Sequence, residues 1–253
     1  MAKDVHIVVD HISKVFGDGA DAIQAIRDIF FEVQRGEFVS ILGPSGCGKS
    51  TLLSLVAGLI PPSAGRIEID GARVTAPRRE TALVFQTPVL FPWRTVIRNV
   101  LFPIEILHLE QERHHQKALK LLEMTGLVEF KDRLPEQLSG GMTQRAAICR
   151  ALISDPKLLL MDEPFSALDT LTREDMNIEL LRIWDQFKKT VLFVTHSIRE
   201  SVFLSDRVIL MSPRPARLVR EFRIDLPRPR TVEMQEHEEF NRYCAAIRQA
   251  MGR

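Results

Sequence analysis

Residues Gly43, Pro44, Ser45, Gly46, Cys47, Gly48, Lys49, Ser50 and Thr51 fit the pattern G-x-x-x-x-G-K-[ST], and they constrain the fold more tightly than any other stretch. The pattern is a backbone device. Glycines let the chain curl until successive N–H groups point at one anion, and a helix opening directly afterwards adds the positive end of its dipole. Such a loop needs a strand before it and a helix after it. Both are legible: Phe38-Val-Ser-Ile-Leu42 reads as a short buried strand, and Leu52-Leu-Ser-Leu-Val-Ala57 as a helix closed by Gly58. Lys49 supplies a point charge for outer phosphates, and the Ser50 hydroxyl is suited to ligate Mg²⁺. The expectation is a chain that binds a nucleoside triphosphate.

Composition narrows the classes further. The 253 residues suit one large domain or two small ones. A net charge of +1 and 26% charged residues carry no nucleic-acid footprint. Cys47, Cys149 and Cys244 are too few and too scattered for a disulfide framework or a zinc site, which suggests a reducing, cytosolic setting. The start, Met1-Ala-Lys-Asp-Val-His6, has no signal-peptide run, and no apolar stretch approaches the roughly 18 residues that span a bilayer. Membrane association is expected only through a partner.

Along the chain, Val5–Val9 and Ile26–Val33 alternate as antiparallel strands would, joined through Gly17-Asp-Gly19. Ile67–Gly71 is a further half-buried strand with its turn. A helical region spans roughly 96–153, punctuated by Pro92, Pro103 and Pro135, with an amphipathic helix at Glu110–Met124. Apolar runs at Ala82–Phe85, Leu158–Met161, Val191–Val194 and Arg207–Met211 read as strands of a parallel sheet covered on both faces. Glu236–Met251 reads as a terminal helix. The arginines between Arg214 and Arg230 read as a solvated basic stretch balanced by later glutamates.

Polar residues follow these strands: the phosphate loop after Leu42, Gln86 after Phe85, Asp162 and Glu163 after Met161, Thr195 and His196 after Val194. In open α/β sheets ligands bind beyond the carboxyl ends of the strands, so four such ends could share one site, given the right strand order. Asp162 is then the natural second partner for Mg²⁺ beside Ser50, and Glu163 a general base for water; the alternative is a solvated acidic turn. His196 either touches a γ-phosphate or is structural, and Gln86 alone says little. Leu138-Ser-Gly-Gly-Met-Thr-Gln-Arg145 opens a helix reaching about Ile153, with Ser139 as N-cap and Gly140 and Gly141 permitting close approach of an anion.

Leu138–Gly141 resembles the signature motif of ATP-binding-cassette (ABC) ATPases. Leu158–Glu163 resembles their second nucleotide motif, Ser166-Ala-Leu-Asp169 their D-loop, Gln86 their Q-loop and His196 their switch histidine, in family order across nearly the whole chain. The resemblance implies a P-loop NTPase fold of α/β class: a parallel-sheet core, an N-terminal antiparallel β part and an inserted helical subdomain. The single domain 1–253 would divide into a nucleotide-binding core at 1–86 and 154–230, a helical subdomain at 87–153 and a C-terminal helix at 231–253. It also implies ATP and Mg²⁺ as ligands, with Ser50, Gln86 and Asp162 around the metal and Glu163, His196 and Gln86 serving hydrolysis. Phe16 falls where the family stacks a ring on adenine, although a core aromatic would look the same. Ser139 and Gly141 would complete the site of a second copy in a homodimer, and Gly140 and Asp169 are further nucleotide-binding residues that the resemblance implies.

Leu90-Phe-Pro-Trp93-Arg-Thr-Val and Met211-Ser-Pro-Arg-Pro215, with Asp225-Leu-Pro-Arg-Pro-Arg230, are similar to the nitrate/sulfonate/taurine group of importer ATPases. Two departures from that group are Glu80-Thr81 before the Q-loop and Thr143 in the signature helix. The implied partners are transmembrane permease subunits and a periplasmic or extracellular solute-binding protein, with the chain on the cytoplasmic face of the membrane. Phe91 and Trp93 either receive the permease's coupling helix or fill core. Cys47 is either oxidisable or merely small enough for the loop. The rival functions are an exporter or lipid-transfer ATPase, and a soluble cassette protein of translation or DNA repair.

Overall fold

Period-two alternation turns the opening third into a four-stranded antiparallel sheet in the order β2-β1-β4-β5. Its strands are β1 (Val5–Phe16), β2 (Ile23–Gln34), β4 (Ala64–Ile69) and β5 (Ala72–Arg73). The computed structural model describes residues 4–252. Met1, Ala2 and Lys3, which open the stretch read as lacking a signal peptide, lie outside the described residues, as does Arg253.

The second sheet has six strands: β3 (Phe38–Leu42), β6 (Thr81–Val84), β7 (Leu158–Asp162), β8 (Thr190–Thr195), β9 (Arg207–Met211) and β10 (Leu218–Arg223). They lie in the order β10-β9-β3-β8-β7-β6. All neighbours are parallel except β10, which runs antiparallel to β9. Buried on both faces, the parallel strands are apolar almost throughout, and their two sides feed two different cores. Val39, Ile41, Leu158, Leu160, Leu192 and Val194 pack with the antiparallel sheet and α1 (Lys49–Val56). Phe38, Leu42, Leu159, Met161, Val191 and Phe193 pack with the remaining helices. Each such side chain contributes about 1.5–3 kcal/mol by leaving water.

The helices are α2 (Val96–Ile106), α3 (Gln111–Met124), α4 (Gly140–Leu152), α5 (Thr170–Phe187), α6 (Ile198–Leu204) and α7 (Glu238–Ala250). The expected amphipathic helix is α3, and the helix opened by Ser139 is α4. Among the described residues no helix is long and apolar enough to cross a membrane.

The structure overturns one expectation. The arginines from 214 to 230 are not a uniformly solvated stretch. Arg230 is 6% exposed and donates to the carbonyls of Val202, Phe203 and Ser205 at the end of α6. Burial, and then the neighbouring Arg228 charge, pull its pKa down to about 10. Arg228 pairs with Asp206 at 2.7 Å and lies over the Trp184 ring, and Arg214 donates to Gly46 O at 2.8 Å. Unpaired carbonyls at a helix end are a strong sink for a guanidinium, and only the tertiary fold brings them there.

Candidate functional site

Register decides the site. Leu42 stands opposite Thr195, Val194 opposite Asp162, and Met161 opposite Val84. The four strands β3, β8, β7 and β6 are contiguous and end nearly level, so the residues that follow them leave the sheet on one edge. The phosphate loop, His196, Glu163 and Gln86 all emerge there.

Within the loop, Gly46 (φ +70°) and Gly48 (φ +124°) hold backbone conformations that favour glycine. At Gly43 a Cβ would meet Cys47 Sγ at 3.0 Å and Met211 O at 3.2 Å, so no larger residue fits without displacement. The backbone N–H groups of Gly48, Ser50 and Thr51 have no acceptor in the chain among the described residues. Free donors at a helix start, beside a buried ammonium, fit a polyphosphate. Lys49 is 4% exposed, and its Nζ donates to Gly43 O at 3.1 Å and Pro44 O at 3.0 Å and pairs with Glu163 Oε1 at 3.1 Å. Cys47 is buried, and burial pushes its thiol up, which leaves little thiolate for oxidation.

The Ser50 hydroxyl donates to Asp162 Oδ1 at 2.9 Å. Two hard oxygens this close suit Mg²⁺, which takes one or two protein oxygens and completes its shell with phosphate and water. Burial raises the Asp162 carboxyl, and the adjacent Glu163 charge adds to that against the Ser50 hydrogen bond. Glu163 goes the other way. Burial raises it, but hydrogen bonds from His196 Nδ1 (2.9 Å) and Lys49, with their charges, outweigh burial and hold it below the usual range. Glu163 also carries φ +43°, a conformation that a non-glycine residue keeps only when its surroundings impose it.

Gln86 is exposed, and its amide donates to Ser166 Oγ at 3.0 Å rather than approaching Ser50 or Asp162. Ser166 in turn donates to Glu163 O, so Gln86 reaches Glu163 through one hydroxyl. Asp169 caps α5 by accepting from Thr172 N at 3.1 Å. Phe16 ends β1 with 42% of its surface exposed and Lys14 Nζ 5.0 Å from its ring centre. Ser139 caps α4 through Met142 N; Ser139 and Gly140 are exposed, whereas Gly141 is buried against α5, where a Cβ would stand 2.8 Å from Thr172 Cγ2. Among the described residues no hydrogen bond joins Ser139–Gly141 to the phosphate loop.

Sequence reasoning missed three supporting residues. Asn99, fully buried, donates to the carbonyls of Phe91, Arg94 and Thr95 and accepts from Phe91 N, shaping the loop that presents Trp93. Arg173 donates to Phe165 O and Leu168 O and so holds the segment carrying Ser166. Arg214 braces the phosphate loop from outside. Each acts on backbone carbonyls or amides distant in sequence, and a pattern of side chains carries no signal for that.

Similarity to known proteins agrees with this geometry. The model of the ABC transporter family matches residues 26–166. The nitrate import ATP-binding protein NrtD of Synechocystis sp. is 41% identical over 249 residues, 96% of this chain and 94% of that one. The taurine import ATP-binding protein TauB of Rhizobium johnstonii is 46% identical over 221 residues, 87% and 84% of the two chains. Among solved structures, a dimeric post-hydrolysis state of the ATP-binding cassette MJ0796 bound to ADP and Pi superposes with a TM-score of 0.75 at 32% identity. That match covers 87% of this chain and all of the other.

Proposed function

The chain belongs to the ABC transporter family, and from that premise we propose that it is the ATP-hydrolysing subunit of an importer for a small anion such as nitrate or taurine. As a member it binds ATP and is an ATPase. The observation that carries the site assignment is the contact chain Ser50–Asp162 and Lys49–Glu163–His196, closed at 2.9–3.1 Å from three adjacent strand ends.

In this reading the loop amides and Lys49 hold the phosphates, and Phe16 offers its exposed face to the adenine. Ser50 and Asp162 hold Mg²⁺, with Gln86 linked to the neighbouring Glu163 through the Ser166 hydroxyl. Mg²⁺, when bound, neutralises charge on the phosphate oxygens. Glu163 takes the proton of the attacking water, and His196 orients Glu163 and contacts the terminal phosphate. Lys49 is one of the two groups that depress Glu163, and two of its own three partners are neutral carbonyls. Drawing Lys49 onto phosphate returns basicity to Glu163 when a base is needed.

Ser139 and Gly140, exposed at the start of α4 and unconnected to the phosphate loop of their own chain, complete the site of a second copy. The residues 87–153 act as a helical subdomain inserted in the core and carry the permease contact. A cleft of about 470 Å³, with an apolar floor of Phe85, Phe91, Phe102 and Ile106 and with Arg79 and Arg150 on its wall, suits an amphipathic helix. A solute-binding protein and permease subunits complete the importer, with this chain peripheral on the cytoplasmic face. Two measurements test the reading. Glu163→Gln binds ATP but loses turnover, and wild-type turnover in that variant overturns the site. Cells lacking the chain lose uptake of nitrate or of a sulfonate such as taurine; normal uptake of all of them overturns the solute class.

A further inference from the structure

We propose that Glu200 is a positioning residue for His196, acting through the hydroxyl of Thr195. The inference rests on the reading of Glu163 and His196 as the hydrolytic pair.

His196 follows β8, and its side chain is 47% exposed, with Glu163 as its hydrogen-bond partner. That bond goes to another residue of the site, and the turn that aims the ring is held through the backbone. The residues on either side are fixed. Thr195 is buried, and its hydroxyl donates to Glu200 Oε2 while accepting from Ser197 N at 3.0 Å. Ser197 caps α6 by accepting from Glu200 N at 3.3 Å. A Ser at the N-cap with Glu three residues on would ordinarily close a capping box, the carboxylate bonding straight back to the N-cap amide. Here the Thr195 hydroxyl stands between them. The closed loop Thr195–Glu200–Ser197 therefore grips the backbone on both flanks of His196.

The burial of Glu200 separates this from an ordinary cap. First-turn acids stabilise a helix while solvated, yet Glu200 is 7% exposed and its Oε1 has no partner in the chain. Burial pushes this carboxyl up, against the Thr195 hydrogen bond and the Arg173 and His196 charges. A cavity of about 10 Å³ lies against it, walled also by Glu163, Ser166, Arg173 and His196. That is the size of one water among polar groups. Glu200 thus forms the back wall of the site whose front is Glu163. A buried carboxyl with one oxygen unpartnered is costly for a fold that needs only a cap, and here its one bonded oxygen is spent on the strand end that carries His196.

The test is steady-state ATP hydrolysis by the purified full chain at saturating Mg²⁺-ATP, with ATP affinity and melting temperature on the same samples. Glu200→Ala should lower kcat about tenfold or more while KM and ATP affinity stay within about twofold, because chemistry depends on aim and binding does not. Glu200→Gln retains an oxygen that accepts the Thr195 O–H and should recover most of the loss. Thr195→Val, close in volume, should match Glu200→Ala, so the inference stands or falls on it even if the alanine variant fails to fold. In a His196→Ala background, adding Glu200→Ala should cost nothing more, since its route to the chemistry is gone. An undiminished kcat in Glu200→Ala and Thr195→Val, or a further loss in the His196→Ala background, overturns the proposal. A His196→Ala variant with normal turnover overturns the site reading itself, a different result from an inactive His196→Ala beside an active Glu200→Ala.

Discussion

Lys49 places a positive charge in an almost dry setting where every partner is an acceptor, and that arrangement favours an anion over any neutral ligand. Its two carbonyl partners, Gly43 O and Pro44 O, are held by the curled loop, and the third, Glu163, directly follows β7. Hydrogen bonds to charged groups are worth about 1.5–3 kcal/mol each, so Lys49→Ala should weaken ATP binding by about ten- to a hundredfold and remove nearly all hydrolysis. Equilibrium titration with ATP reads the first effect and phosphate release the second. Wild-type values for both would show that the loop amides suffice without the cation. Two adjacent carboxyls drift apart: burial raises Asp162, while Glu163 falls because the hydrogen bonds and charges of His196 and Lys49 outweigh its burial. Asp-Glu after an apolar strand was enough to nominate the pair. The fall of Glu163 depends on Lys49 and His196 arriving from other strands, and the rise of Asp162 on burial that outweighs Ser50 and Lys49.

At the scale of elements, the segment between β6 and α2 is built for presentation. Trp93 is 73% exposed, while Phe91 is half-buried and packs edge-on against Phe102 at 4.5 Å. In the proposed reading Trp93 would take the permease contact and Phe91 would share in the packing, the two roles that the sequence left open. Trp93→Ala should weaken association with the permease and leave the melting temperature unchanged. Phe91→Ala should also cost about 1–2 kcal/mol of stability, part of the price of a fully buried ring. A large fall in melting temperature for Trp93→Ala would assign it to the core. A second element-scale joint ties the antiparallel sheet to the base of β8. Buried His6 on β1 bonds Thr190 Oγ1 through Nδ1 at 2.6 Å, with Asp70 3.6 Å from Nε2. Burial lowers the His6 pKa, with Arg35 and Lys157 adding to that against Asp70 and Asp4. The unfolded chain then takes up the proton first as pH falls through about 6.5, so stability is complete above that value and declines below it until the folded chain protonates. Thermal melts from pH 7.5 down to 5.5 should fall more steeply for the wild type than for His6→Gln; equal slopes would remove His6 from the account. Strands such as Leu158–Asp162 were legible because burial on both faces leaves unbroken apolar runs. β10 was not, because its edge position lets Arg220, Glu221 and Arg223 face solvent and erases the pattern. Arg230 was misread for a related reason: the carbonyls that bury it belong to α6, distant in sequence.

At the scale of the whole molecule, motif order along the chain was legible from the start, but strand order was not. The convergence of four strand ends became definite only with β3-β8-β7-β6 as neighbours. One motif stays outside that convergence. Ser139 and Gly140 are exposed at the start of α4, and no hydrogen bond among the described residues carries them to the phosphate loop of the same chain. In the proposed reading their free N–H groups and the positive helix end would meet an anion that a second copy presents, and association would depend on the nucleotide. Glu163→Gln keeps the shape of the hydrolytic carboxyl but cannot accept the proton, so ATP persists with its terminal phosphate in place. Light scattering should then find that variant at 28.8 kDa without nucleotide and at twice that mass at saturating ATP, with ADP failing to substitute. Adding Ser139→Arg should return it to the monomer mass while ATP binding stays intact, because the long side chain blocks the approach of the helix start and touches nothing in its own loop. A Glu163→Gln sample that binds ATP and remains monomeric would assign Ser139–Gly141 to an ordinary capped helix, with Gly141 kept small by Thr172 alone.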